Sequence, residues 1–286
     1  MSMDALQLKI RKMKNPSVID LTVTPEQLPP ALLEGKTFLE AYDRFSTELM
    51  EALKEIVPAV RFNFAAFSLQ GPAGLMLLNA KLEQAKELGY YVLLDGVESY
   101  SVQASAMADK QLALPCDGLI VSSYAGSDSI KPYAQFLKEW NKSVFVVLRT
   151  ANKSASELQD LMTGSRLVYM AAAEMVSRLG ESLVGKCGYS HLAGTGAANA
   201  PEVLRTLRSK HDRLFLLVDG YDYTNANAKN CSLAFDRLGH GAAVCAGQSV
   251  TAAWQNADGV CYDYVQEAVE AAKRMQKNLL RYVTIL

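Results

Sequence analysis

Short apolar runs alternate along the chain with longer segments in which apolar residues recur at helical spacing. Most of the runs are rich in Val, Ile and Leu and are apolar throughout. This is typical of parallel strands covered by helices, whereas half-exposed strands alternate apolar and polar residues. The pattern therefore predicts eight parallel strands, at residues 17–23, 57–64, 90–95, 117–122, 143–148, 183–192 (the weakest), 214–218 and 241–246.

The segments between the runs carry apolar stripes that predict amphipathic helices facing a common core. Internal helices are predicted at residues 37–56, 72–88, 127–140, 165–179, 200–209 and 225–238, and terminal helices at about 1–15 and 260–283. Eight strand–helix units without a change in composition predict one domain, residues 1–286, folded as an α/β (β/α)8 TIM barrel. A doubly wound open sheet is the alternative, but the glycine-rich turn typical after its first strand is missing from TVTPEQLPP.

Composition excludes several classes of partner. The 29 Lys and Arg residues nearly balance the 30 Asp and Glu residues, giving a net charge of −1. A balanced, interspersed surface offers no electrostatic reason to bind nucleic acid or a membrane. The N-terminus lacks the apolar core of a signal peptide, and no run reaches membrane-spanning length. The five cysteines are scattered without CxxC spacing, so we expect reduced thiols in the cytoplasm and no metal site.

Function in a barrel of this kind lies on the loops that follow the strands. Three such segments, RFNFAAFSLQGPAG, VSSYAGSDSIKPY and FVVLRTANKSASELQDL, together resemble the long-insert bacterial subfamily of orotidine 5′-phosphate decarboxylases. VIDLTVTPEQLP and HLAGTGAANAPEVLRTLR are similar to further segments of that family, in the same order along the chain. The resemblance implies a barrel that forms a homodimer and releases CO2 from orotidine monophosphate without a cofactor.

The catalytic positions of the family are only partly matched in this chain. The family uses alternating Lys and Asp residues, with the proton-donating Lys inside a DxKxxD motif. The corresponding stretch here is LLDGVESYS, in which Asp95 is retained, Val97 replaces the Lys and Tyr100 replaces the last Asp. The upstream Lys corresponds to Arg61, which keeps the charge but is too weak an acid to donate a proton. The resemblance therefore implies Asp95 and Arg61 as the remaining catalytic candidates.

The candidate ligand-binding positions also follow from the resemblance and from their place at strand ends. They include a loop that could bind an anion through main-chain N–H groups at a helix start, although the family's phosphate-binding Arg corresponds to Gln248. Arg61 either grips an anionic ligand or pairs with Asp95. His191 could reach the mouth after the sixth strand, but a structural histidine is the favoured interpretation. The ligand-binding candidates are Asp20, Thr22, Glu98, Arg149, Thr150, Asn152, Gly220, Gly247, Gln248 and Ser249.

Three hypotheses about function stay open at this point. The first is a decarboxylase-like barrel that is inactive or altered in decarboxylation and binds a small phosphorylated or nucleotide-like ligand. The second is a non-catalytic binding or regulatory barrel, whose mouth Tyr100, Tyr221 and Tyr223 would fill. The third is an active decarboxylase with a rebuilt site, for which Lys131, Lys153 and Lys186 are the only suitable loop lysines.

Overall fold

The computed structural model describes residues 2–97, 101–256 and 263–286, with the backbone alone for 101–106. Eight parallel strands close into a barrel in which each strand pairs with its neighbours in sequence, and the last pairs with the first. The predicted fold class is confirmed. The strands are β1 (Ser17–Asp20), β2 (Ala59–Asn63), β3 (Tyr91–Val97), β4 (Gly118–Ser122), β5 (Ser143–Val147), β6 (Leu192–Ala197), β7 (Leu216–Asp219) and β8 (Ala242–Ala246).

Helices surround the barrel because their apolar stripes need a partner, which the outer face of the strands supplies. In chain order they are α1 (Ser2–Met13), α2 (Pro30–Leu33), α3 (Phe38–Leu53), α4 (Phe64–Ser68), α5 (Gly71–Glu87), α6 (Ser101–Leu112), α7 (Ser127–Trp140), α8 (Val168–Gly180), α9 (Pro201–Lys210), α10 (Ala228–Ser232), α11 (Gln248–Thr251) and α12 (Tyr264–Leu280). No helix in the described ranges combines the length and apolarity that crossing a membrane requires.

Helix α1 closes the N-terminal end of the barrel. Met3, Leu6 and Ile10 are fully buried on one face of this helix. The amide of Met3 donates to Nδ1 of His191, at 3.3 Å. His191 directly precedes β6 and is buried, so it is a structural residue, in agreement with the favoured interpretation, and it does not reach the mouth. The strand C-termini, which form the mouth, lie at the opposite end of the barrel.

Two local predictions of secondary structure were wrong. The sixth strand begins at Leu192, where the predicted run ends. A 3-10 turn (Glu181–Leu183) and a loop with a bridge between Val184 and Ser190 precede it. The predicted helix at 225–238 shortens to Ala228–Ser232, and α6 was not predicted at all. The weak apolar stripes of these segments carry little information about where each helix begins and ends.

Candidate functional site

A buried arginine lies at the centre of the barrel mouth. The guanidinium of Arg61, on β2, donates to Asp20 Oδ2 through Nε at 3.0 Å and Nη2 at 2.5 Å. Its Nη1 donates to Asp219 Oδ2 at 2.9 Å and lies 3.9 Å from Asp95 Oδ2. Arg61 thus pairs mainly with Asp20 and Asp219, and only secondarily with Asp95.

Each of the three carboxylates belongs to the end of a parallel strand. Asp20 and Asp219 are the last residues of β1 and β7, and Asp95 lies near the end of β3. Since parallel strands of a barrel all end at the same face, one central side chain can reach three of them. The site is therefore a direct product of barrel closure.

Strand β3 carries an irregularity at this point. Its pairing with β4 shifts between Leu94 and Val97, so that one extra residue is inserted around Asp95. Gly96 adopts the left-handed conformation (φ 73°), and its amide donates to Asp95 Oδ1 at 2.7 Å. A bulge of this kind changes the direction of the side chains that follow it. Val97, the next residue, is only 8% exposed.

Burial controls the protonation of the groups at the mouth. Arg61 is 9% exposed, and although desolvation opposes its charge, the carboxylates of Asp20, Asp219 and Asp95 hold its pKa well above the ordinary value. Burial raises the pKa of Asp95, more than the nearby Arg61 lowers it. Burial also raises the pKa of the Cys245 thiol. Arg61 is thus a permanent cation, whereas Asp95 takes up a proton more readily than an exposed aspartate.

A cavity of about 320 Å³ opens above Arg61. This volume is near the lower end of the range for small-molecule sites, roughly 300–1,000 Å³. The buried hydroxyl oxygen of Thr22 has no hydrogen-bond partner among the residues that the structure describes. The predicted residues that line the cavity are Asp20, Thr22, Arg61, Thr150, Asn152, Gly220, Gly247 and Gln248.

The loop after β5 is held largely by its own side chains. Arg149 forms a two-pronged pair with Asp160, each bond at 2.9 Å, and also donates to the carbonyl of Thr150. The amide of Thr150 donates to Gln159. Arg149 is absent from the cavity wall. It therefore shapes the loop that presents Thr150 and Asn152 to the cavity.

The loops after β7 and β8 are joined by a carboxylate. Asp222 accepts hydrogen bonds from the amides of Gly247, at 2.7 Å, and Ser249, at 3.2 Å. They are two of the three main-chain donors, those of Gly247, Gln248 and Ser249, that the sequence suggested for an anionic ligand. In this structure a side chain of the protein accepts from them.

The predicted residues and the residues of the cavity wall do not coincide fully. Glu98 and Tyr100 lie outside the described residues. Asp219 and Asp222 line the cavity but were not predicted as site residues. A signal for Asp219 was present, since the run LFLLVD ends on aspartate just as SVID and YYVLLD do. No pattern in the sequence points to the contact between Asp222 and the loop of Gly247.

Known proteins resemble the chain over most of its length. Orotidine 5′-phosphate decarboxylase of Rhodopirellula baltica is 31% identical over 257 residues, covering 84% of this chain and 85% of that protein. The chain belongs to the orotidine 5′-phosphate decarboxylase family. The enzyme of the same name from Clostridium novyi is 26% identical over 285 residues, covering 97% and 98% of the two chains. No family model matches the chain.

Solved structures of the family share the fold. Leishmania donovani OMP decarboxylase aligns with a TM-score of 0.75 at 23% identity, covering 98% of this chain and 99% of that one. The Plasmodium berghei orotidine 5′-monophosphate decarboxylase aligns with a TM-score of 0.77 at 13% identity, with the same coverage. At these identities the likeness shows the barrel fold.

Proposed function

We propose that this chain binds a nucleotide-like small molecule in the cavity above Arg61 and does not carry out the decarboxylation for which its relatives are named. The observation that carries the proposal is the set of charged groups that line the cavity. Arg61 is the sole cation among the described residues that line the cavity. Its guanidinium stays protonated at any ordinary pH and cannot transfer a proton to a carbanion.

The position that the family pattern assigns to a catalytic Lys supports this proposal. Val97 occupies it, and a valine side chain has neither a charge nor an acidic proton. A developing carbanion would need a fixed cation beside it, with a proton to give. The loop lysines do not replace it, because the described cavity wall contains none of Lys131, Lys153 and Lys186. Lys131 instead pairs with Asp128, with 3.4 Å between Nζ and Oδ1. An active site rebuilt from these lysines is therefore disfavoured.

Binding without turnover is the expected result when the protein meets pyrimidine ligands. We expect uridine, orotidine or their 5′-phosphates to raise the melting temperature, since a ligand that binds only the native state stabilises it by about 2.7 kcal/mol at a hundredfold excess over its Kd. Thermal-shift titration measures this, with ribose 5-phosphate as the comparison without a base. Absence of any shift with all these compounds would contradict the proposed pocket and favour a barrel with an unrelated partner.

We further propose that the chain is a single-domain cytoplasmic protein that works as a homodimer, without nucleic acid or membrane partners. Exposed apolar side chains follow β2 and β4: Leu69 is 85% exposed, Met76 75% and Tyr124 83%. Large exposed apolar side chains that cluster on one face are typical of association surfaces. Leu69 and Tyr124 each lie on the connection that follows a strand C-terminus, as the cavity residues do.

Sedimentation equilibrium tests the dimer. We expect a mass about twice the 31.2 kDa of the chain and expect Leu69→Glu to weaken association at least about tenfold, since burying an unpaired charge opposes binding. Leu238→Glu is the matched control, because Leu238 is also exposed (48%) but precedes β8 at the other end of the barrel. A monomeric mass for the native protein at high concentration would rule the dimer out.

A further inference from the structure

Asp222 interacts with the cavity in a way that the family resemblance does not suggest. Its two carboxylate oxygens accept from two different main-chain amides, those of Gly247 and Ser249. Asp222 belongs to the loop after β7, and both donors belong to the loop after β8. Asp222 thus joins two loops and places a negative charge on the cavity wall.

The charges on this wall do not balance. Three carboxylates line the cavity, those of Asp20, Asp219 and Asp222, against one guanidinium, that of Arg61. Arg61 is already engaged by Asp20 and Asp219. The Asp222 carboxylate has no cationic partner among the described residues. A ligand in the cavity therefore meets an excess of negative charge, and like charges brought together at an interface oppose binding.

Neutral ligand groups are better suited to this wall than anionic ones. Hydroxyl groups can donate to carboxylates, and the wall offers further polar partners in Thr150 and Asn152. A phosphate has no proton donors to spare for Asp222 at neutral pH, and Gln248 can hydrogen-bond it without offsetting its charge.

We infer that Asp222 is a specificity-determining residue that makes the cavity prefer a neutral, hydroxyl-bearing nucleoside over the corresponding 5′-phosphate. The inference rests on the proposed function, because it assumes that a nucleoside-like ligand enters the cavity above Arg61. It narrows the class of ligand from nucleosides and nucleotides in general to nucleosides, which lack the terminal phosphate. The carboxylate of Asp222 accepts from the amides of Gly247 and Ser249, which a ligand phosphate could otherwise use, and its negative charge repels that phosphate.

The test compares uridine with uridine 5′-phosphate on the native protein and on Asp222→Asn, by calorimetric titration at constant ionic strength. We expect the native protein to bind uridine at least as tightly as its 5′-phosphate. We expect Asp222→Asn to shift the ratio of the two dissociation constants toward the phosphate by about tenfold or more, since removing one like charge relieves the repulsion. Asp222→Ala, which also frees both amides, should shift the ratio in the same direction.

Asp128→Asn is the matched control, since its carboxylate lies after β4 at the same end of the barrel, is 76% exposed and is absent from the cavity wall. The ratio should stay unchanged in this variant. Native protein that binds the 5′-phosphate more tightly, or an unchanged ratio in both Asp222 variants, would overturn the role of Asp222 and leave the proposed pocket in place. Binding of neither compound by any of these proteins would refute the pocket and this inference together.

Discussion

Replacing Arg61 by methionine is expected to lower the free energy of unfolding by about 3–5 kcal/mol at pH 7, the usual loss when one member of a buried ion pair is removed. Methionine fills much of the space but leaves the carboxylates of Asp20, Asp95 and Asp219 facing one another without a cation. Urea denaturation measures the loss. Arg205→Met is the control, because the pair of Arg205 with Glu202 is exposed, at 60% and 75%, and should contribute less than about 1 kcal/mol.

The loss caused by Arg61→Met should shrink as the pH falls. Burial already raises the pKa of Asp95 above its value in the unfolded chain, so its charge destabilises the folded protein at high pH and this effect disappears as it takes up a proton. Removing Arg61 removes a group that lowers this pKa, and the folded variant then binds the proton more tightly. The gap between native and variant stability should therefore be smaller near pH 5 than at pH 7. A gap that is small at pH 7, or that widens on acidification, would contradict this account of the mouth.

Replacing Phe145 by alanine is expected to destabilise the protein by about 3–5 kcal/mol, the range for removing a buried aromatic ring. Phe145, on β5, is fully buried, and its ring meets that of Phe215 edge-on, with centroids 6.2 Å apart. The ring also approaches Gly118 on β4, where an added Cβ would lie 3.1 Å from it. The ring therefore lies between Gly118 on β4 and Phe215, which directly precedes β7, and it fills the interior of the barrel. We expect that no neighbouring side chain can close the space that alanine would leave.

Phe136→Ala is the matched control for Phe145→Ala. Phe136 lies on α7 and packs against the core from outside while staying partly exposed. The loss there should be clearly smaller, because solvent and the edge of the helix can adjust to the missing ring. Equal losses at the two positions, measured by denaturant unfolding, would show that the interior of the barrel is not the main source of stability.

The barrel could be predicted because its strands are unusually uniform. Runs such as YYVLLD and SVFVVL are apolar on both faces, which only a parallel sheet covered by helices explains well. The sixth strand, LAGTGA, could not be located in the same way, because its small residues give little hydrophobic signal. Those small side chains have a structural role: Gly194 lies where an added Cβ would meet Leu148 at 2.4 Å.

The candidate site was predictable in part for a similar physical reason. Position at a strand end brought Asp20, Arg61 and Asp95 to the mouth, since barrel closure places all strand ends together. The partner of Arg61 was less predictable, because three strand ends each offer a carboxylate and only the structure shows that those of Asp20 and Asp219 lie closer to the guanidinium than that of Asp95. The pairing of Asp222 with Gly247 and Ser249 depends on how two loops meet, which no periodicity in the sequence records.

The most direct test of the central claim is to incubate the protein with orotidine 5′-phosphate and quantify uridine 5′-phosphate over time, with the Rhodopirellula baltica relative as the positive control. We predict no product above the buffer blank even at protein concentrations equal to that of the substrate, because Val97 and Arg61 provide no proton to the carbon that loses CO2. Product that forms at a rate proportional to the concentration of this protein would contradict that claim, and would mean that the decarboxylation site is rebuilt from residues other than those of the described mouth.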